Sequence, residues 1–203
     1  FSFSSTLPGM NGSLSDGLTL TEFNVVPGFY NVTEGDPAPL GFDLSAITCD
    51  DGSSATPSTG HIPSRTATFQ ADPGETITCV FTNSKRGTIV VVKNTSPEGL
   101  PDLFTFTGQA AGSIADGGAI TVANLVPGTY FSTESLGPAG FDLTAMACDD
   151  DLSETPSEVD PADRKATFQL APGETVTCTF TNTQRGTIIV EKQTDPDDAP
   201  GSF

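Results

Sequence analysis

Lysine, glutamate and asparagine recur at the ends of short apolar alternations in this 203-residue sequence, and the three side chains together can do a definite chemistry. The stretches are "GTIVVVK" (87–93), "GTYFSTE" (128–134) and "TVTCTFTN" (175–182). In a strand, alternate side chains share a face. Ile89, Val91 and Lys93 therefore lie together, as do Tyr130 and Glu134, and Val176, Cys178, Phe180 and Asn182. A later copy of the first stretch, "GTIIVEK", sets Glu191 where Val92 stands. The Val92 side is thus the wet one, and Lys192 lies with Ile188 and Val190. Earlier copies repeat the other two sets, with Ile77, Cys79, Phe81 and Asn83 on one face and Tyr30, Val32 and Glu34 on another. Burial lowers the pKa of a lysine and raises that of a carboxyl. A neutral amine beside an asparagine can attack its amide carbon, while a protonated glutamate polarises the oxygen and shuttles protons as ammonia leaves. The product is an isopeptide bond. The competing reading is that Lys93 and Asn182 curl to solvent at strand ends and Glu134 makes an ordinary surface pair.

The four cysteines fall in two pairs of equal spacing (79 − 49 and 178 − 148, both 30). An even count at a repeated spacing reads as a disulfide framework in an oxidising, extracytoplasmic compartment. One pair per unit, Cys49–Cys79 and Cys148–Cys178, is the simplest closure. Zinc is the competitor, but two thiols per unit without neighbouring histidines make a poor zinc site. Acidic clusters follow the first cysteine of each pair: Asp50 and Asp51, then Asp149, Asp150 and Asp151. Calcium is the one cofactor such carboxylates suggest, though solvated acidic loops are commoner and no twelve-residue calcium loop is present. The single histidine, His61, has no counterpart in the second unit, which leaves little for a catalytic triad or zinc enzyme. No enzyme is expected beyond the intramolecular bond formation.

These residues sit in a repeat. The stretch from Cys49 to Lys93 matches that from Cys148 to Lys192 without a gap at a spacing of 148 − 49 = 99, and Asn24–Glu34 matches Asn124–Glu134 at 100. A unit of about a hundred residues has the size of a sandwich domain rather than a solenoid repeat. Apolar residues alternate with Thr and Ser between Pro-Gly, Asp-Gly and Gly-Pro turns, with no convincing helix. Strands are expected at Gly87–Lys93, Leu103–Thr107, Ala119–Ala123, Gly128–Glu134, Phe141–Cys148, Arg164–Gln169 and Thr175–Asn182. About seven per unit suits an all-β fold of two tandem antiparallel sandwiches. The units divide as residues 1–85, lacking an opening strand, 86–184, and 185–203, the opening strand of a following unit in which Phe203 answers Phe104.

The sequence resembles the tandem prealbumin-like modules of SpaA and Cna B type found in bacterial surface adhesins, pilins and stalk proteins. The resemblance rests on "RGTIIVEKQTDPDDAPGSF", "LVPGTYFSTES", "GFDLTAMACDDD" and "ATFQLAPGETVTCTFTNT". It implies a reverse-immunoglobulin-like sandwich and an isopeptide between a first-strand lysine and a last-strand asparagine, assisted by a glutamate: here Lys93, Asn182 and Glu134. Asn83 and Glu34 would take Lys192 of the next module or copy. The cysteine pairs depart from many members and could serve as the staple instead.

Composition narrows the function further. A net charge of -18, from 26 Asp+Glu against 8 Lys+Arg, would repel nucleic acid and anionic membranes. No apolar run approaches a membrane span. Two readings remain. One is a structural segment of an extracellular or cell-surface fibre, with copies of itself arranged head to tail as partners. The other is an adhesin holding a glycan or protein on the loops at 51–64, 150–164 and 9–17. The end of the sequence reads either as a cut in a longer array or as a strand that completes the first unit of another copy.

Overall fold

The computed structural model describes residues 1–52, 54–150, 153–193 and 195. The first unit contains β1 (Ser2–Ser5), β2 (Gly12–Ser13), β3 (Gly28–Glu34), β4 (Phe42–Asp50), β5 (Thr59–His61), β6 (Thr66–Ala71) and β7 (Thr78–Lys85). The second contains β8 (Gly87–Ser96), β9 (Phe104–Gly108), β10 (Gly112–Ile114), β11 (Ala119–Leu125), β12 (Gly128–Glu134), β13 (Phe141–Asp149), β14 (Glu158–Asp160), β15 (Lys165–Leu170) and β16 (Thr175–Gln184). Each unit is a two-sheet sandwich. In the second, the sheet β10-β9-β12-β15-β14 faces the sheet β11-β8-β16-β13. In the first, β2-β1-β3-β6-β5 faces the pair β4-β7.

The alternation of Thr with apolar residues sorts the two faces. Along β8 every second residue from Gly87 to Thr95 is buried, and β16 buries Val176, Cys178, Phe180 and Asn182. The core of the second unit gathers Ile89, Val91, Phe104, Phe106, Phe168 and Phe180, all essentially without solvent exposure. Edge-on ring pairs stitch the layers together: Phe106 meets Phe180 at 5.0 Å and Phe104 meets Phe141 at 5.3 Å. Phe3 with Phe81 and Phe1 with Phe42 repeat these contacts in the first unit. Such pairs add roughly 0.5–1.5 kcal/mol each beyond their burial.

The structure departs from the sequence reading in two respects. The second unit has nine strands rather than about seven, because the short edge strands β10 and β14 give no periodic signal. The sandwich is not wholly antiparallel: β16 runs parallel to β8, from Thr175 opposite Thr88 to Thr183 opposite Ser96. First and last strands of one unit are thus direct neighbours. Residues 186–192 form no strand within the chain, and Ile188, Ile189 and Val190 are 93%, 85% and 91% exposed. Phe203 lies outside the described residues.

Candidate cross-link site

Strand parity carries the three polar side chains into one pocket of the second core. Lys93 is the seventh residue of β8, Asn182 the eighth of β16 and Glu134 the last of β12. β8 and β16 share a sheet, and β12 lies in the facing one, so the glutamate arrives from across the sandwich. Lys93, Glu134 and Asn182 are 0%, 2% and 2% exposed. The Lys93 Nζ donates to Asn182 Oδ1 at 3.1 Å, to the Phe180 carbonyl at 3.0 Å and to the Asn94 carbonyl at 2.6 Å. It lies 3.9 Å from Glu134 Oε1 and 4.2 Å from the centre of the Phe104 ring. These side chains do not curl to solvent.

Burial dominates the electrostatics. It pulls the Lys93 amine down to about 8, against the opposing pull of Glu134 and Asp116. It also pushes the Glu134 carboxyl above its usual range, more strongly than Lys93 lowers it. The Asn182 side chain also pulls the Glu134 pKa down, though among the described residues neither carboxyl oxygen has a hydrogen-bond partner of good geometry. Burial makes the ion pair costly and so brings a neutral amine beside a neutral acid within reach. That is the protonation state in which the amine is nucleophilic and the acid can donate. In the reaction this arrangement would permit, the Nζ–Cγ bond forms and the Cγ–Nδ2 bond breaks; Glu134 passes its proton to the leaving NH2, which departs as ammonia, and takes one proton from Nζ in return.

The first unit holds the matching pair without a lysine between them. Asn83 Nδ2 donates to Glu34 Oε1 at 2.6 Å. Glu34 is 1% exposed, and neither its Oε2 nor Asn83 Oδ1 makes a hydrogen bond. Burial raises the Glu34 pKa as well. Lys192, at the position corresponding to Lys93, lies in the exposed 186–192 segment and donates to the Gln193 carbonyl.

Disulfides join Cys49 to Cys79 and Cys148 to Cys178. Each pair sits at directly facing positions of neighbouring antiparallel strands, β4 with β7 and β13 with β16, with Cα atoms 4.0 Å apart. The acidic clusters are loop braces. Asp50 accepts the Gly52 N–H at 3.0 Å, Asp51 accepts that of Ser58 at 2.5 Å, and Asp150 accepts that of Ser157. Asp149 ends β13 opposite Thr177, and Asp151 lies outside the described residues. Among the described residues no three carboxylate, imidazole or thiol groups come together as a cation site. His61 bonds Ser64 within its own turn at 2.8 Å.

Sequence reasoning missed two sets of residues. Asp116 accepts the N–H groups of Thr95 at 2.5 Å and Gly99 at 2.6 Å, fixing the chain just beyond Lys93. Arg86 and Arg185 form forked pairs with Asp43 and Asp142. The signal was present in the recurrence of "FD" before each first cysteine and "RG" after each closing strand.

Two sandwiches in series, each with a disulfide between neighbouring strands and a carboxyl–amide pair reaching into its core, define a tandem array of β-modules. The chain belongs to the SpaA prealbumin-like fold domain family, whose model matches residues 5–85 and again 89–184. No curated protein matches it. Among solved structures, a bacterial adhesin from Mobiluncus mulieris containing intramolecular disulfide, isopeptide and ester bond cross-links is 14% identical, with 81% of this chain and 62% of that one covered at a TM-score of 0.42. The major pilin protein T-13 from Streptococcus pyogenes is 14% identical, covering 82% and 70%, at 0.39. Another Streptococcus pyogenes major pilin is 18% identical, covering 79% and 72%, at 0.35. Among the described residues no helix is long and apolar enough to cross a membrane.

Proposed function

We propose that the chain is a structural repeat segment of an extracellular or cell-surface fibre or stalk, in which Lys93 and Asn182 become joined through an isopeptide bond with Glu134 as the proton shuttle. The observation that carries this reading is the burial of an amine, an amide and a proton-accepting carboxyl in one pocket between the first and last strands of a unit. The two disulfides support a compartment outside the reducing cytoplasm. Units 1–85 and 86–184 act as successive modules. Intact-protein mass under non-reducing conditions tests the chemistry: the loss of one ammonia is expected beyond the hydrogens lost to two disulfides. A mass lacking that loss, in protein matured near neutral pH, refutes the cross-link.

Modules and copies are arranged head to tail, with residues 185–203 supplying the opening strand of a following unit. Support comes from β7, which pairs only with β4 among the described residues, whereas its counterpart β16 also pairs with β8. A strand of the 186–192 type laid beside β7 brings Lys192 to Asn83 and Glu34, whose Oδ1 and Oε2 accept no bond. Boiling in detergent with reductant should then leave a ladder of linked chains, and Lys192→Ala should abolish it. A ladder that survives the substitution rules out this linkage.

A further inference from the structure

The joint between the two units is a single residue. β7 ends at Lys85 and β8 begins at Gly87, so only Arg86 stands between one sandwich and the next. Its backbone N–H donates to the Gly41 carbonyl at 2.9 Å. Its guanidinium forks onto Asp43, with Nε to Oδ2 and Nη2 to Oδ1 both at 2.7 Å. Gly41 and Asp43 belong to the first unit. From the other side, the turn between β15 and β16 reaches back across the joint, where the Gly173 N–H donates to the Lys85 carbonyl at 2.9 Å. The same turn packs on Gly87, where a Cβ would come within 2.7 Å of the Glu174 carbonyl. Gly173 has a φ of +74°, and a Cβ there would meet Lys85 Cδ at 3.1 Å. Both sides of the Lys85–Arg86 peptide are therefore pinned by different units.

The chain contains its own comparison. Arg185 repeats the arrangement on the second unit, with its N–H on the Gly140 carbonyl at 2.7 Å and its guanidinium on Asp142 at 2.7 and 2.6 Å. There the Arg and Asp side chains are 67% and 51% exposed, against 26% and 32% for Arg86 and Asp43. The fork forms in both places, but only at the joint are both side chains mostly covered. An exposed ion pair contributes little to folding stability. A forked Arg–carboxylate pair does fix direction, because two parallel hydrogen bonds define a plane.

We propose that Gly41, Asp43 and Arg86, closed over by the Ala171–Glu174 turn, form an inter-module interface that holds the two units at a fixed angle, and that the partner this surface fits is the Pro-Gly-Glu turn of the next module. Gly140, Asp142 and Arg185 present the same surface to a turn of the kind found at Asp72–Glu75. This inference rests on the tandem repeat alone and holds whether or not the lysine cross-link forms.

The test is backbone 15N relaxation on the full chain, which reports whether the units tumble as one body. The wild type should fit one common anisotropic diffusion tensor. Asp43→Ala, and separately Arg86→Lys, which keeps the charge and loses the fork, should give two tensors, with each unit's correlation time falling toward that of an isolated module. Asp142→Ala, which breaks the same fork away from the joint, should keep the common tensor. Separate tensors in the wild type, a common tensor in both joint variants, or splitting by Asp142→Ala would each overturn the proposal.

Discussion

Replacing Glu134 with Gln tests the proposed chemistry at its least disruptive point, since the side chain keeps its shape and Lys93 still faces Asn182. Gln has no acidic proton to pass, so the amine should remain unlinked and the ammonia should be retained. The energetic consequence follows from chain entropy. A covalent link between Lys93 and Asn182 closes a loop with a separation of 89 residues. The disulfide already short-circuits 30 of these, leaving 89 − 30 = 59 in the effective loop. Applying the disulfide relation to this length gives about 4 kcal/mol of stabilisation from the isopeptide. For a module of this size that corresponds to roughly 20 °C in melting temperature. In the unlinked variant a buried amine remains as well, so the figure is a floor. Intact mass and thermal unfolding by circular dichroism, both without reductant, give the answer together. Ammonia loss in Glu134→Gln, or a linked wild type that melts within a few degrees of the unlinked variant, would refute the reasoning.

Other consequences are separately measurable. In the unlinked state the pair holds one shared proton from the raised Glu134 pKa up to the Lys93 value of about 8. The neutral amine beside the neutral acid has the same proton count as the ion pair. The rate of ammonia loss in refolding chains should therefore be flat across that window, fall as pH rises above about 8 and the shared proton departs, and fall in acid as the amine is protonated; a rate still climbing well above pH 8 contradicts this. Removing Cys148–Cys178 by paired Ser substitution should cost about 3–4 kcal/mol for a loop of 30 residues in urea unfolding. Phe180→Ala deletes a fully buried ring packed edge-on against Phe106 and should cost about 3–5 kcal/mol by the same measurement.

Much of the site was legible because strand parity is a local property. Ile89, Val91 and Lys93 had to share a face once the stretch was a strand, and Glu191 at the position of Val92 showed which face was wet. What parity cannot give is who pairs with whom. The parallel contact of β8 with β16 depends on a crossover spanning the entire unit, and no residue in either strand encodes it alone. The first unit shows the same limit from the other side. Ala119–Leu125 form β11 by pairing with β8, yet the corresponding stretch near Leu18–Val25, with a similar alternation, forms no strand. Its Leu18 and Phe23 are 63% and 78% exposed. A strand is a property of a pair of edges, and the sequence supplies only one of them at a time. The Arg–Asp forks were missed for a related reason: partners separated by 43 residues meet only after β4 and β7, or β13 and β16, have found their register.

The parallel pairing also decides what each covalent link does under load. Tension along the array enters the second unit at Gly87 and leaves beyond Gln184. Because β8 and β16 are parallel neighbours in register from Thr88 to Thr183, the pull acts on opposite ends of one ladder and shears all its hydrogen bonds at once. The proposed Lys93–Asn182 bond would lie on that path, so the load would pass through Gly87–Lys93, across the link and out through Asn182, and residues between them would not be stretched. Cys148–Cys178 lies elsewhere, joining β16 to β13 on its far side. With the proposed isopeptide in place the disulfide would be silent, and it would matter only once the ladder had opened. Single-molecule pulling should show this order. The linked wild type should not extend within the second unit. Glu134→Gln should yield with 30 residues withheld, and reductant should then release about 100 Å more contour length from that unit. If the linked protein also lengthens by that increment on reduction, the load crosses β13, and the assignment of β8 and β16 as the force-bearing pair is wrong.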